Sequence, residues 1–349
     1  MHKPIAVRAF LGVALVALLA AATWWMAGRN DDRRPAAAQL PPSGTPAPAA
    51  PPSASSSGTP PSASAPNSRP PVSVSSTTTA RPATSGVSRA RGSFPDDGST
   101  GVPAGVTLKA ATTTSLRVRR AGTVIDRADI RGEISVEAND VTIKNSRVVN
   151  AGNWGIVQRP EAKGLVVKDS EIRGNGKDRL QYAILNLGSG DISVLRNDIS
   201  KVSDALSTNV GLIEGNYLHD PVYFDGDHTD MIQSNSGPPA GQRLVIRHNT
   251  VVNTLEQTAA VALFQDFGVQ HDATIEHNLL AGGGYALYAG SGAKGTSYNI
   301  RVVGNVFSRE VFGKSGQYGP VAYWDKGGSG NVWQDNVWAD TGRPVTADR

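Results

Sequence analysis

Ile246-Arg-His-Asn249-Thr-Val251 and, 29 residues on, Ile275-Glu-His-Asn278-Leu-Leu280 share one pattern: an apolar residue, two variable ones, Asn, one more, an apolar residue. Working outward, the same phrase runs through Ile143…Ser146…Val148, Val167…Ser170…Ile172, Val194…Asn197…Ile199, Ile213…Asn216…Leu218, Val302…Asn305…Phe307 and Trp333…Asn336…Trp338. The polar position recurs after 24, 27, 19, 33, 29, 27 and 31 residues. Repeats of about 20–50 residues mark stacked architectures. The units are short, rich in β-branched residues and without a helical period, so they predict an all-β chain, a parallel β-helix of about eight coils. Asn favours turns and its amide bonds well to backbone, and stacked amides can bond one another along the coil axis. The column is therefore read as structural, with Asn supplying the left-handed turn residue.

A second short strand follows six of the phrases: Gly155–Gln158, 183–186, 204–207, 230–233, 262–265 and 286–288. Equivalent positions on stacked coils lie about 4.8 Å apart. Asp204 and Asp230 are thus expected as neighbours, and Gln158, Asn186, Ser207, Gln233 and Gln265 as a polar ladder. Strict alternation would put Asp230 and Gln233 on opposite faces, unless a corner follows Ile232.

Around this repeat the composition divides the chain. Residues 1–34 carry an uncharged, mostly apolar stretch from Ala9 to Gly28, flanked by Lys3, Arg8 and Arg29. It is long enough to span a bilayer as a helix, so an uncleaved membrane anchor is expected ahead of a cleaved signal peptide, for which Ala20-Ala21-Ala22 offers a site. Residues 35–94, dominated by Pro, Ser, Ala, Thr and Gly, cannot bury enough surface to offset their ordering entropy and are expected as a disordered linker. Residues 95–349 remain for the β-helix, with 94–130 as an N-terminal cap and Ile125…Ile130 as a degenerate first rung. Trp333 and Trp338 are placed to close the other end. Residues 1–95 hold nine Lys/Arg and two Asp/Glu, leaving 25 basic and 28 acidic residues beyond, a net of −3. That excludes a strongly basic nucleic-acid binder. Cysteine is absent, so neither disulfides nor thiol chemistry is available. An extracytoplasmic, membrane-anchored or secreted monomer follows.

The longest interval, after Asn216, must leave the stack as a loop, and long loops on rigid scaffolds often carry function. It holds His219, Asp220, Asp225, Asp227 and His228 just before Asp230. Asp225, Asp227 and Asp230 offer oxygen ligands for a hard cation such as Ca2+; His228 or an Asp could transfer protons; a solvated polar turn would look the same. Two carboxylates one coil apart repel and raise one pKa unless a cation separates them, which makes Asp204 a partner for Asp230, although a plain turn after Ser203 also suits it. Gln233, Gln265 and Asp266 would extend a groove. Tyr288 offers a stacking surface or a proton relay. Arg247 is a substrate-binding candidate, though its place in the repeated phrase also suits a solvated face.

The strand phrase with its Asn column resembles the right-handed parallel β-helix superfamily of pectate lyases, alginate and chondroitin lyases, polygalacturonases and mannuronan epimerases. His228-Thr-Asp230-Met-Ile-Gln233 is similar to the Asn-Thr-Asp stretch of polygalacturonases, and Asp227-His228-Thr-Asp230 to the Asp-Pro-His-Asp motif of mannuronan epimerases. The chain has no His-Gly or Arg-Ile-Lys motif. The resemblance implies an exported enzyme acting on an extracellular, uronic-acid-containing polysaccharide, a lyase ahead of a hydrolase or epimerase. His228 or Tyr288 would be the base of a lyase, and Asp204 and Asp230 the acid and base of a hydrolase. A non-catalytic glycan-binding surface protein is the alternative.

Overall fold

The computed structural model describes residues 94–347. The expected anchor at 1–34 and the linker, but for Phe94, lie outside the described residues. No helix among the described residues is long and apolar enough to cross a membrane.

Among the described residues every strand is short, and 27 strands pair in parallel to form three nine-stranded sheets. The chain visits the first, second and third sheet in turn and then starts again. One coil comprises, for instance, Asp204–Ser207, Gly211–Glu214 and Tyr217–His219, and the next Asp230–Ser234, Leu244–Arg247 and Thr250–Asn253. This is a parallel β-helix of nine coils. The degenerate rung is the first of them, with Val124–Asp126 and Asp129–Ile130 as its second and third strands.

Each repeated phrase crosses the corner from the second sheet to the third. Its two apolar positions fill the interior: Ile143, Val167, Val194, Ile213, Ile246, Ile275 and Val302, and after the corner Val148, Ile172, Ile199, Leu218, Val251, Leu280 and Phe307, are all fully buried. The Asn side chains stack at the corner. From Asn216 to Asn336, each Oδ1 accepts the backbone N–H and the Nδ2 of the Asn one coil earlier, at 2.9–3.0 Å. The left-handed residue is not the Asn, as expected, but the one before it: Asp169, Arg196, Gly215, His248, His277, Gly304 and Asp335 have φ between 50° and 69°. That residue makes the turn, and the Asn satisfies the backbone groups the turn frees.

Two expectations about the ends meet different outcomes. Trp333 and Trp338 belong to the second and third strands of the last coil, where Trp324 packs beside Trp333 and the Val345 carbonyl accepts from Trp333 Nε1 at 2.7 Å. Residues 94–111, however, are not an end cap. They run along the side of the stack, from Pro95, whose carbonyl accepts from Thr250 Oγ1 at 2.6 Å, past Gly101 on Arg196 to Lys109 on Arg127.

Candidate functional site

The first sheet carries an outward face unlike the other two. One row of side chains reads Trp154, Tyr182, Asp204, Asp230, Ala259, Tyr285, Gly319, and the next Val157, Leu185, Ser207, Gln233, Ala262, Tyr288, Ala322. Both rows point outward because the alternation breaks between them: Met231 and Ile232 both enter the core, while Asp230 and Gln233 line one cavity. The break therefore lies before Ile232 rather than after it. The result is a groove with aromatic residues toward each end, two carboxyls in the middle and small residues beside them.

Corner loops form its edges. On one side, residues 220–229 bring Asp227 and His228 to the cavity of about 190 Å³ that Asp204, Asp230, Gln233, Tyr182 and Arg179 also line. Arg179, at the corner one coil before Asp204, donates from Nε to Asp227 Oδ2 at 2.9 Å and pairs through Nη2 with the other oxygen. This bidentate pair holds the loop. Asn253 fixes its end, donating to the Thr229 and Ala259 carbonyls at 3.0 and 3.1 Å. On the other side, Phe264, Asp266 and Tyr323 follow the ends of their strands.

Asp204 and Asp230 are neighbours on adjacent coils, as the register predicts. Asp204 Oδ1 accepts the Asp230 N–H at 2.8 Å, and the two residues are 5% and 3% exposed. Asp230 Oδ1 is buried with no hydrogen-bond partner. Burial pushes Asp204 up to about 8; the Asp227 charge adds to this, while the Asp230 N–H and Arg179 oppose it. Burial also holds Asp230 well above the usual carboxylate range, reinforced by the charges of Asp204 and Asp266 and opposed only by the Ala259 N–H. Asp230 thus has one group favouring its charged form where Asp204 has two.

Of the other expected residues, Gln233 and His228 line the cavity, His228 exposed. Asp266 is exposed on the facing edge, and its carboxyl is raised by partial burial against the opposing Lys294 charge. Tyr288 sits three coils beyond Ser207 in the second row, edge-on to Phe264 and Tyr323 at 5.7 and 5.1 Å. Burial, then the Tyr323 and Asp230 charges, raises its phenol.

Three placements differ from the sequence reading. Gln265 is not level with Gln233; Ala262 is, and Gln265 lies past the strand end, its amide spent on the Gly290 and Gly295 carbonyls at 2.8 and 2.9 Å. The polar ladder survives as two pairs, Gln158 with Asn186 and Ser207 with Gln233, offset by one residue because Ser207 is level with Leu185. Arg247 lies on the second sheet, away from the groove, bonded to Glu214 at 3.1 Å. Among the described residues no group of three or more His, Asp or Glu is arranged to hold a metal ion. Asp225, Asp227 and Asp230 do not form one: Asp225 is exposed and Asp227 is engaged with Arg179.

Sequence reasoning missed Tyr182, Arg179 and Trp154. Tyr182 stands one residue before the stretch taken as the strand and is level with Asp204. Trp154, with the Arg159 guanidinium 5.0 Å from its ring centre, lies one coil earlier. Extending each short strand by one residue would have found both.

Compared with known proteins, the chain matches no family model, no curated protein and no solved structure at a significant level.

Proposed function

We propose that this chain is a glycoside hydrolase acting on an extracellular polysaccharide laid along the first-sheet groove. The observation that carries the reading is the buried Asp204–Asp230 pair, with Asp230 Oδ1 unpartnered at the floor of a cavity. Two neighbouring carboxyls whose environments raise their pKa values can form the acid–base arrangement that glycosidic cleavage uses. Asp230 donates its proton to the leaving glycosidic oxygen. Asp204, with two groups favouring its charged form, is the second carboxylate. Adjacent strands lie about 4.8 Å apart, nearer the short carboxyl separation of retaining enzymes than the long one of inverting enzymes. Asp204 then attacks the anomeric carbon, and water, deprotonated by Asp230, releases the sugar in the second step. Ala259 and Ala262 leave room for a ring between Asp230 and the tyrosine wall of Tyr285 and Tyr288. Aromatic faces suit sugar rings because their C–H edges are apolar.

The charge balance supports hydrolysis over the β-elimination that the sequence favoured. Among the described residues lining the central cavity, Arg179 is the one Lys or Arg, and it is paired with Asp227. A uronate there would find no Lys or Arg that is not already paired. The right-handed hand of nearly all parallel crossovers, membership of the pectate lyase-like superfamily and an extracytoplasmic location behind the apolar segment at 9–28 belong to this same reading.

The test is a panel of neutral and acidic polysaccharides with the full chain, following reducing ends and ultraviolet absorbance together. New reducing ends without unsaturated product are expected, with losses of about a thousandfold or more in Asp230→Asn and Asp204→Asn. Unsaturated products would establish a lyase instead. Binding without new ends would establish a glycan-binding protein, and cleavage indifferent to both variants would remove the dyad from the mechanism.

A further inference from the structure

The Asp230 row continues through Ala259 and Tyr285 to Gly319. There, three coils along, it meets a second cavity of about 460 Å³ at the edge of the groove. Its chemistry is the reverse of the centre. Among the described residues, Arg309, Lys314, Tyr285, Tyr318 and Trp338 line it, and no Asp or Glu does. Arg309 lies flat on Trp338, its Cζ 3.8 Å from the ring centre, and is bonded to Asp340 at 2.7 Å. Lys314 is exposed and forms no ion pair among the described residues.

The loop that presents Lys314 and Tyr318, residues 308–318, is fastened rather than free. The Gly282 N–H donates to Ser315 at 2.7 Å, and the Gln317 and Tyr318 N–H groups donate to Gly283 and Gly284, each at 2.8 Å. The Ser315 hydroxyl is buried against the Leu280 carbonyl. Tyr318 itself is exposed and leans on Tyr285, ring centres 5.9 Å apart. A cation, a guanidinium plane and two aromatic faces are thus held in fixed positions on the path of the groove.

We infer that this cavity is a distal subsite for an anionic group borne by the polysaccharide. The inference rests on the hydrolase reading for the direction of the chain and adds the substrate class: a polymer with an uncharged residue at the bond cleaved and a carboxylate, phosphate or sulfate farther along. At about 4.8 Å per coil, three coils span about 14 Å, roughly the length of three pyranose units. Lys314 meets the charge and Tyr318 and Tyr285 carry the ring.

The test uses the full chain with Asp230→Asn, which leaves glycans intact, on an array printed with matched neutral, carboxylated, phosphorylated and sulfated oligosaccharides. Anionic forms should bind more tightly than their neutral partners, and the class retained names the group. Adding Lys314→Glu should weaken the anionic forms roughly tenfold or more, the size of a lost charge-assisted contact, and leave neutral forms unchanged; Lys314→Arg should keep binding. Absence of binding to every anionic form, equal binding of neutral and anionic forms, or indifference to Lys314→Glu would overturn the inference. Cleavage by the chain with native Asp230 separates the two ideas. Asp230-dependent cleavage with no Lys314 effect removes only the subsite. Asp230-independent cleavage removes the acid pair from the mechanism and leaves the array result standing.

Discussion

Asp204 and Asp230 place on two residues a conflict between stability and chemistry. A carboxyl whose pKa is higher in the folded chain holds its proton more tightly when folded. Stability therefore falls as pH rises from the unfolded value, about 4, towards the raised one, which for Asp204 is about 8. Asp204→Asn keeps an oxygen for the Asp230 N–H and removes the buried charge. We expect it to stabilise the fold by about 1–3 kcal/mol at pH 8 and to flatten the decline between pH 5 and 8, read from thermal unfolding at both pH values. A variant less stable than the parent at pH 8 would mean that the charge is compensated. The same shift sets the rate: cleavage needs Asp204 ionised and Asp230 protonated, so its acidic limb should lie far above pH 4, towards 8, with an alkaline limb where Asp230 titrates. A limb at the ordinary carboxylate value would contradict the assignment. The pairing of these two residues was legible because register in a stack follows from spacing alone. Gln265 was misplaced because its strand begins three residues earlier than read, at Ala259, and one slipped position takes a side chain out of its row. Arg179 was illegible because its role depends on a loop 48 residues away folding back onto it.

At the scale of the element, the second-to-third-sheet corner explains why one letter recurs while its neighbour does not. The turn residue needs only to tolerate a positive φ, which Asp, His, Arg and Gly all do here, so it leaves no column to see. The next residue must accept two hydrogen bonds from the coil before and donate to buried carbonyls, and Asn alone does all of this. Asn249 Nδ2 donates to the Ile213 and Arg247 carbonyls at 3.0 and 2.9 Å, and its Oδ1 takes both Asn216 donors. Asn249→Ala would strand those groups in a fully buried site. We expect a loss of about 3–5 kcal/mol in urea unfolding. Asn249→Ser should lose less, since Ser146 and Ser170 close the early corners by accepting from the previous coil at 3.0 Å and donating to the Lys144 and Lys168 carbonyls. Equal losses for Ala and Ser would assign the column to shape rather than to hydrogen bonding.

At the scale of the molecule, a stack of coils held only by nearest neighbours can open anywhere along its length. Residues 94–112 change that by touching coils that do not touch each other. Phe94 stacks on His248 at 6.0 Å and the Pro95 carbonyl takes the Thr250 hydroxyl, both in the Asp230 coil. Two coils earlier the Gly101 N–H reaches the Arg196 carbonyl at 3.1 Å, and Thr112 lies beside Ile130 in the first coil. Gly101 is required twice over, by its φ of 79° and by the Asp198 Cβ standing 3.1 Å from where its own Cβ would be. Turn-rich composition makes this stretch look like a lead-in, and the sequence carries no sign of its course because Gly101, Lys109 and Thr112 bond to backbone carbonyls on the coils beneath. The strap spans the coils that bear Asp204 and Asp230, so it should clamp them. Comparing a chain begun at residue 94 with one begun at residue 104, we expect the shorter to melt about 5–10 °C lower, the worth of two or three lost hydrogen bonds in a domain of this size. Amide exchange should quicken in Tyr217–His219 and Thr250–Asn253 while Val332–Gln334, far from the strap, is unchanged. Gly101→Ala, which strains the strap without removing it, should shift the same amides by a smaller amount. Exchange rising evenly through all nine coils would show that the strap adds stability without clamping the coils that carry the acid pair.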